Sequence, residues 1–414
     1  MNDQMNSVVI DWEDREDREE ISKSGPSESS HSKSTGGKSG KKEASRDSLG
    51  SVAPLQSLPS KLEDQRPKRP SYRVYDDYFL LHGVTRSPGL YWHDQRKDQP
   101  VDQLISTPIH VTALTKDDDG SNWGEVLRFM DPDGKWREWS APMRLLRGGG
   151  EMLLESLLDQ GFRLQLKNKA HFISWLMQQV PRERLVAATQ VGWHQNSSVF
   201  VLPGESLGDD GIRFQSESAM PGAFEKRGSL KAWRKSVSEK CRGNPLAILS
   251  VSVALAGPLL LKAKQLSQGG AGVHLIGRSS RGKSTLLGLA ASVWGSPHFV
   301  GTWRATANGL EGAATGQNDT CLILDELGEC DPKTVGQTVY LLGNGSGKQR
   351  SNRNGGARKT HRWRLMVVSS GEKTLTDCLK EVGQQIYSGQ EARLIDLPAT
   401  DREYGAFDEL HDAS

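Results

Sequence analysis

Cysteine is scarce in this sequence. Its 414 residues hold four, Cys241, Cys321, Cys330 and Cys378, with no C-x-x-C pair among them. That pattern excludes a disulfide framework and a cysteine zinc site, so buried, inert thiols in a cytoplasmic protein are expected. The N-terminus lacks an apolar segment behind a basic start and carries Asp and Glu instead, which excludes an ordinary secretory signal. Long apolar runs are missing too. The best candidate, 246–261, is interrupted by Ser250, Ser252, Gly257 and Pro258 and falls short of the roughly 18 to 20 residues that span a bilayer. It predicts a buried helix ahead of a strand and no membrane partner. Nor is there an excess of charge: 53 Lys+Arg stand against 51 Asp+Glu. Net charge therefore names no partner, and a nucleic-acid surface has to come from local clustering.

Aromatics are almost absent from residues 1–68, which are rich in Ser, Lys, Gly, Asp and Glu. Such a segment cannot bury enough apolar surface to offset chain entropy, and a disordered polar tail is expected. The texture changes at Tyr72. Short β-rich runs at 78–81 and 108–114, a turn signal at Asp131-Pro-Asp-Gly134, and helical spacing over 151–160 and 170–179 predict a mixed α/β accessory domain over 69–228. Its Trp123, Trp136, Trp139 and Gly192-Trp193-His194 can stack on bases, with core packing favoured. From 229 to 414 apolar strands at 272–276, 320–324, 363–369 and 393–397 alternate with helices at 283–294, 332–342 and 375–385. That alternation predicts an α/β fold: a parallel sheet with helices on both faces.

What is present on this sheet is nucleotide chemistry. Gly277-Arg-Ser-Ser-Arg-Gly282-Lys283-Ser284-Thr285 follows an apolar strand and opens an apolar helix, the setting a P-loop requires. Gly277 and Gly282 let the backbone curl so that N–H groups around Ser279, Ser280 and Arg281 face phosphate oxygens, beside the positive end of the next helix. Lys283 is expected to reach the β- and γ-phosphates, Ser284 to ligate Mg²⁺, and Thr285 to pack behind it. The implied cofactors are ATP and Mg²⁺.

Downstream, an apolar strand ends in Asp325-Glu326. Asp325 is expected to hold Mg²⁺ through a water and Glu326 to orient and deprotonate the attacking water. The strand after that delivers Ser369 and Ser370 to the same edge, with Ser369 slightly favoured as a sensor of the γ-phosphate. Arg393 begins the strand that follows and suits an arginine finger acting on a neighbouring subunit, against a plain surface ion pair as the alternative. Between the Asp-Glu strand and the serine strand lies a stretch with no acidic residue that contains Lys348, Arg350, Arg353, Arg358, Lys359, Arg362 and Arg364. It predicts a loop or hairpin suited to DNA phosphates, to a subunit interface, or to solvent.

These motifs, with Thr302-Trp-Arg-Ala-Thr-Ala-Asn-Gly-Leu-Glu-Gly312, Gly345-Ser-Gly-Lys-Gln-Arg350, Ser369-Ser-Gly-Glu372 and Gly389-Gln-Glu-Ala-Arg393, resemble the bacterial family catalogued as domain of unknown function 927. That family is often described as superfamily II helicases and inactivated derivatives, and the likeness runs from about Tyr72 to Leu410. It implies an AAA+-like P-loop ATPase of the minichromosome-maintenance type, a ring-forming DNA motor of a mobile element, with Arg393 at the finger position. AAA+ proteins usually follow this sheet with a helical lid, whereas this sequence stops at Ser414. The expectation is a lid supplied by a partner chain, or a truncated or inactivated nucleotide-binding scaffold without unwinding activity.

Overall fold

The structure, a computed structural model, describes residues 64–97, 99–194, 198–209, 211–217, 224–263, 269–349, 360–383, 389 and 392–411. Most of the predicted polar tail lies outside them, as do Arg350, Arg353, Arg358 and Lys359 of the basic stretch. The chain divides into Met1–Ser57 and Leu58–Ser414, and the second unit carries all that is described.

Five parallel strands form the C-terminal half: β1 (Gly269–Ile276), β2 (Val300–Thr302), β3 (Cys321–Asp325), β4 (Arg364–Gly371) and β5 (Leu394–Pro398), ordered β2-β3-β4-β1-β5. Side chains alternate across a strand. Cys321 and Ile323 therefore join one core with Val273, Leu275 and Val368, while Leu322 and Leu324 join another with Leu365, Val367 and Leu394. Helices α1 (Pro245–Ala256) and α2 (Lys283–Ala291) cover the first core; α3 (Ala307–Gly316), α4 (Pro332–Asn344) and α5 (Leu375–Lys380) cover the second. Burial on both faces is why these strands read as continuous apolar runs.

The parallel sheet with helices on both faces is the architecture expected from the alternation. Its edges differ by a few residues: the 283–294 helix ends at Ala291, the 375–385 helix ends at Lys380, and the serine strand runs on to Gly371. The 246–261 run is helical as α1 but breaks at Gly257 and resumes as a short turn over Leu259–Lys262. A Cβ at Gly257 would strike the Thr320 backbone, so glycine is what lets α1 end against β3. Among the described residues no helix is long and apolar enough to cross a membrane.

The accessory half has a five-stranded mixed sheet ordered Ile212–Phe214, Glu183–Ala188, Ile109–Lys116, Gly124–Met130, Trp136–Pro142. Two helices, Glu151–Asp159 and Lys169–Met177, share one core with it through Leu153, Leu157, Phe172 and Leu176. Trp139 belongs to that core, so it is unavailable for base stacking; Trp123 remains exposed, and the Arg128 guanidinium lies 4.6 Å over the Trp136 ring. At the predicted turn the Asp131 carboxylate accepts from the N–H groups of Asp133 and Lys135, closing the loop that Gly134 enters at φ 75°. All four cysteines are free and buried, and burial raises their thiols' pKa values.

Candidate nucleotide-binding site

The P-loop leaves β1 at its C-terminal edge, where parallel sheets bind ligands. Ser280 and Gly282 both take left-handed backbone, φ 57° and 98°, which turns the loop back on itself before α2 begins. Ser279, Ser280 and Arg281 are exposed at its mouth. Lys283 is 7% exposed, and its Nζ donates to the carbonyls of Gly277 (2.7 Å) and Arg278 (2.9 Å), which holds the ammonium inside the curl. Ser284 and Thr285, on the first turn of α2, remain exposed.

Asp325 ends β3 on the same face of the sheet as α2. Its two oxygens are occupied differently: Oδ2 accepts from the Ser284 hydroxyl at 3.2 Å, while Oδ1 accepts from the Ser370 hydroxyl and from the Glu326 N–H at 3.0 Å. Ser284 and Asp325 are thus a hydroxyl and a carboxylate within reach of one ion. Hard oxygen donors of this kind, few in number and open to water and phosphate, suit Mg²⁺. Among the described residues there is no group of three or more His, Cys, Asp or Glu that could hold a metal ion.

Glu326 has left-handed backbone, φ 55° and ψ 79°, an uncommon state for a residue with a side chain. Its Oε1 accepts from the Gly328 N–H at 3.3 Å and caps the short turn Leu327–Glu329. Backbone strain of about 1–3 kcal/mol is concentrated at functional positions where surroundings over-determine it. Here Asp325 and Ser370 both hold the Glu326 N–H.

The favoured sensor, Ser369, faces the wrong way, and the correction is one of parity. Leu365, Val367 and Ser369 share a face with α3 to α5, whereas Ser370 faces α2 and Asp325. Ser369 is fully buried, accepting from the Trp303 indole N–H at 2.8 Å and lying 2.9 Å from His274 Nδ1. His274 Nε2 lies 3.0 Å from the Lys373 carbonyl, which only accepts. That contact assigns the ring proton to Nε2, so the Ser369 hydroxyl donates to Nδ1. Burial, aided by the charge of Lys283, holds the His274 pKa down at about 4. The ring is therefore neutral at physiological pH.

Arg393 precedes β5 at the other, N-terminal edge of the sheet, roughly 16 Å along the strands from the P-loop, since Leu394 pairs with Gly272. Its guanidinium donates to Gly389 O (2.6 Å) and Asn344 Oδ1 (2.8 Å) and lies 4.8 Å over the Tyr340 ring. It does not serve this chain's own P-loop. The basic stretch begins as a hairpin between α4 and β4: Ser346 bridges Arg362, and the Gly347 N–H donates to the His361 carbonyl at 2.9 Å. Lys348 is exposed on its outgoing limb.

Sequence reasoning missed a strap. After β5 the chain turns over the outside of the P-loop, with Ala399 N–H donating to Ile276 O (2.7 Å), Arg278 N–H to Thr400 Oγ1 (3.3 Å) and Ala406 N–H to Arg281 O (2.8 Å). Asn244, just before α1, accepts from the N–H groups of Asp408 (2.9 Å) and Glu409 (3.0 Å) and fixes the strap's end. A side chain at Gly277 would strike Thr400, and one at Gly282 would come within 2.9 Å of Phe407. The strap therefore requires glycine at both positions.

Among solved structures the chain is similar to one described as SCCmec type IV Cch, an active helicase, at 19% identity and a TM-score of 0.55. The likeness covers 80% of this chain and 59% of that one, so this chain spans about three-fifths of its neighbour, and what is shared is the fold. NtrX from Brucella abortus, solved in complex with ADP, matches at 17% identity over 41% of this chain and 39% of that one, and its TM-score of 0.24 carries no argument. No curated protein matches. Residues 84–363 match the family described as a domain of unknown function, number 927, and since they make up more than half of the sequence, the chain belongs to that family.

Proposed function

We propose that this chain binds and hydrolyses ATP as an AAA+-like subunit of a nucleic-acid motor, a helicase or helicase-related ATPase of a mobile element. The observation that carries the reading is the meeting of Ser284 and Asp325 at 3.2 Å beside a buried Lys283. In this reading the P-loop N–H groups take the phosphates and Lys283 leaves the Gly277 and Arg278 carbonyls for the β- and γ-oxygens. When bound, Mg²⁺ would neutralise charge between those phosphates, held by Ser284 and, through water, by Asp325. Ser370, bonded to Asp325, fixes that carboxylate and takes the sensor role assigned from sequence to Ser369. Glu326 swings off its turn to orient and deprotonate the attacking water.

Lys348, Arg350, Arg353, Arg358 and Lys359 form the nucleic-acid contact, acting on phosphates with strong salt dependence and little sequence preference. The helicase described for the neighbouring structure supports this choice of substrate class. A homo-oligomeric ring follows if Arg393 completes an adjoining subunit's site, for which its guanidinium has to leave Asn344, Gly389 and Tyr340.

The test is ATP turnover by the full chain with and without single-stranded DNA. Turnover that rises with DNA and vanishes in Lys283→Ala supports the reading. A wild-type chain that neither binds nor turns over ATP rules it out.

A further inference from the structure

Gly192-Trp193-His194, singled out in the sequence, has no place in the nucleotide site, and its surroundings lead to Asp319. This carboxylate is fully buried at the entrance to β3, with left-handed backbone at φ 56°. Three groups converge on it. The Trp193 N–H donates to Oδ2 at 3.0 Å from the accessory half. The neighbouring Asn318 amide donates to the same oxygen at 3.0 Å. The Arg364 guanidinium donates to Oδ1 at 2.6 Å from the first residue of β4.

The remaining contacts tie the same three parts together. The Asp319 N–H donates to Arg364 O (2.5 Å), and the Arg364 N–H to Asn318 Oδ1 (2.9 Å). Asn318 Nδ2 also donates to Val191 O (2.8 Å), and Gln190 Nε2 to Arg362 O (2.8 Å), on the returning limb of the basic hairpin. Gly192 has φ 104°, and a Cβ there would strike the Asp319 carboxylate, so only glycine lets the accessory backbone come this close.

The strands that start at this junction end at the chemistry. β3 (Cys321–Asp325) begins two residues after Asp319 and ends at Asp325, and β4 (Arg364–Gly371) carries Arg364 at its start and Ser370 near its end; the two pair in register from Cys321–Met366 to Leu324–Ser369. A paired strand is stiff along its length, and a packed core permits discrete positions rather than continuous deformation. The two strands are thus bracketed by Asp319–Arg364 at one end and Asp325–Ser370 at the other.

We propose that Asp319 is a positioning residue through which the accessory domain and the basic hairpin jointly set the alignment of β3 and β4, and with it the placement of Asp325 and Ser370. The functional consequence rests on the ATPase reading above; the mechanical one does not. Gly192→Ala perturbs the junction from the accessory side, touching neither nucleotide nor hairpin. In the full chain it is expected to raise amide hydrogen exchange in peptides covering 319–326 and 364–371 while leaving the α2 peptide, 283–291, unchanged. It should lower DNA-stimulated kcat by about tenfold, a coupling of ordinary size, and unstimulated kcat by clearly less, with the KM for ATP unchanged.

Gln190→Ala, which removes only the exposed side-chain bond to Arg362, guards against misfolding and should give the same pattern in weaker form. Exchange that rises only within residues 183–201, or equally throughout the chain, overturns the proposal, as does an equal loss of stimulated and unstimulated turnover. Absence of ATP turnover in the wild type would instead refute the ATPase reading, and the exchange pattern would still decide this one.

Discussion

Protonation of His274 is a perturbation whose cost the structure sets. The ring is fully buried on β1, its Nδ1 taking the Ser369 hydroxyl and its Nε2–H given to the Lys373 carbonyl. Burial holds its pKa at about 4, whereas an imidazole in an unfolded chain titrates near about 6.5. The unfolded chain therefore takes the proton more readily than the folded one. His274's contribution is complete above about pH 6.5 and is lost as pH falls toward about 4. A gap of roughly 2.5 units at about 1.36 kcal/mol each amounts to about 3 kcal/mol. His274→Gln removes the titration and keeps one donor and one acceptor. It has its own packing cost at every pH, so the quantity to read is the slope rather than the level. Urea unfolding followed by tryptophan fluorescence between about pH 7.5 and about pH 4 should show the wild type losing about 3 kcal/mol more than the variant. Parallel profiles would refute the neutral, doubly bonded ring and, with it, the hydrogen-bond chain assigned to Trp303, Ser369 and His274.

Glu125 titrates in the opposite sense: burial at 4% exposure raises its pKa to about 7. Its contribution is full below about pH 4.5 and lost as pH rises through about 7, so Glu125→Gln should add up to about 3 kcal/mol at alkaline pH and little at acid pH, read by thermal unfolding. Ser370→Ala should lower ATP turnover while thermal stability changes little. Ser369→Ala should do the reverse, destabilising by about 1–3 kcal/mol because it leaves the Trp303 N–H and His274 Nδ1 unpartnered. Gly282→Ala forces a side chain into left-handed backbone within 2.9 Å of Phe407; nucleotide-dependent stabilisation should disappear, as checked by melting with and without MgATP. Arg393→Ala should lower the melting temperature through loss of Asn344, Gly389 and Tyr340. A turnover defect rescued by mixing with Glu326→Gln subunits would identify it in addition as a finger.

The P-loop was legible because its determinants are adjacent in sequence: two glycines, a lysine and a serine between an apolar strand and an apolar helix. Parity was not. With both faces of the sheet buried, Leu365 to Val368 show no alternation, so nothing local says which of Ser369 and Ser370 faces α2. Strand β2 is three residues long and mostly exposed, too short to leave a period. The Thr400–Phe407 strap and the Asp319 junction depend on contacts between residues far apart in the chain, and Gly277, Gly282 and Gly192 reveal their second constraint only once those partners are in place. The basic stretch was legible as charge, but its hairpin stem rests on Ser346 and Arg362, separated by the charged residues themselves.

The central claim is that Glu326 activates water at a site assembled by Lys283, Ser284 and Asp325. The direct measurement is steady-state ATP turnover and ATP-dependent thermal stabilisation of Glu326→Gln beside the wild type. The variant is expected still to gain stability from MgATP while its turnover falls by at least about a hundredfold, the scale of a lost general base. A variant that turns over ATP at the wild-type rate would contradict the claim.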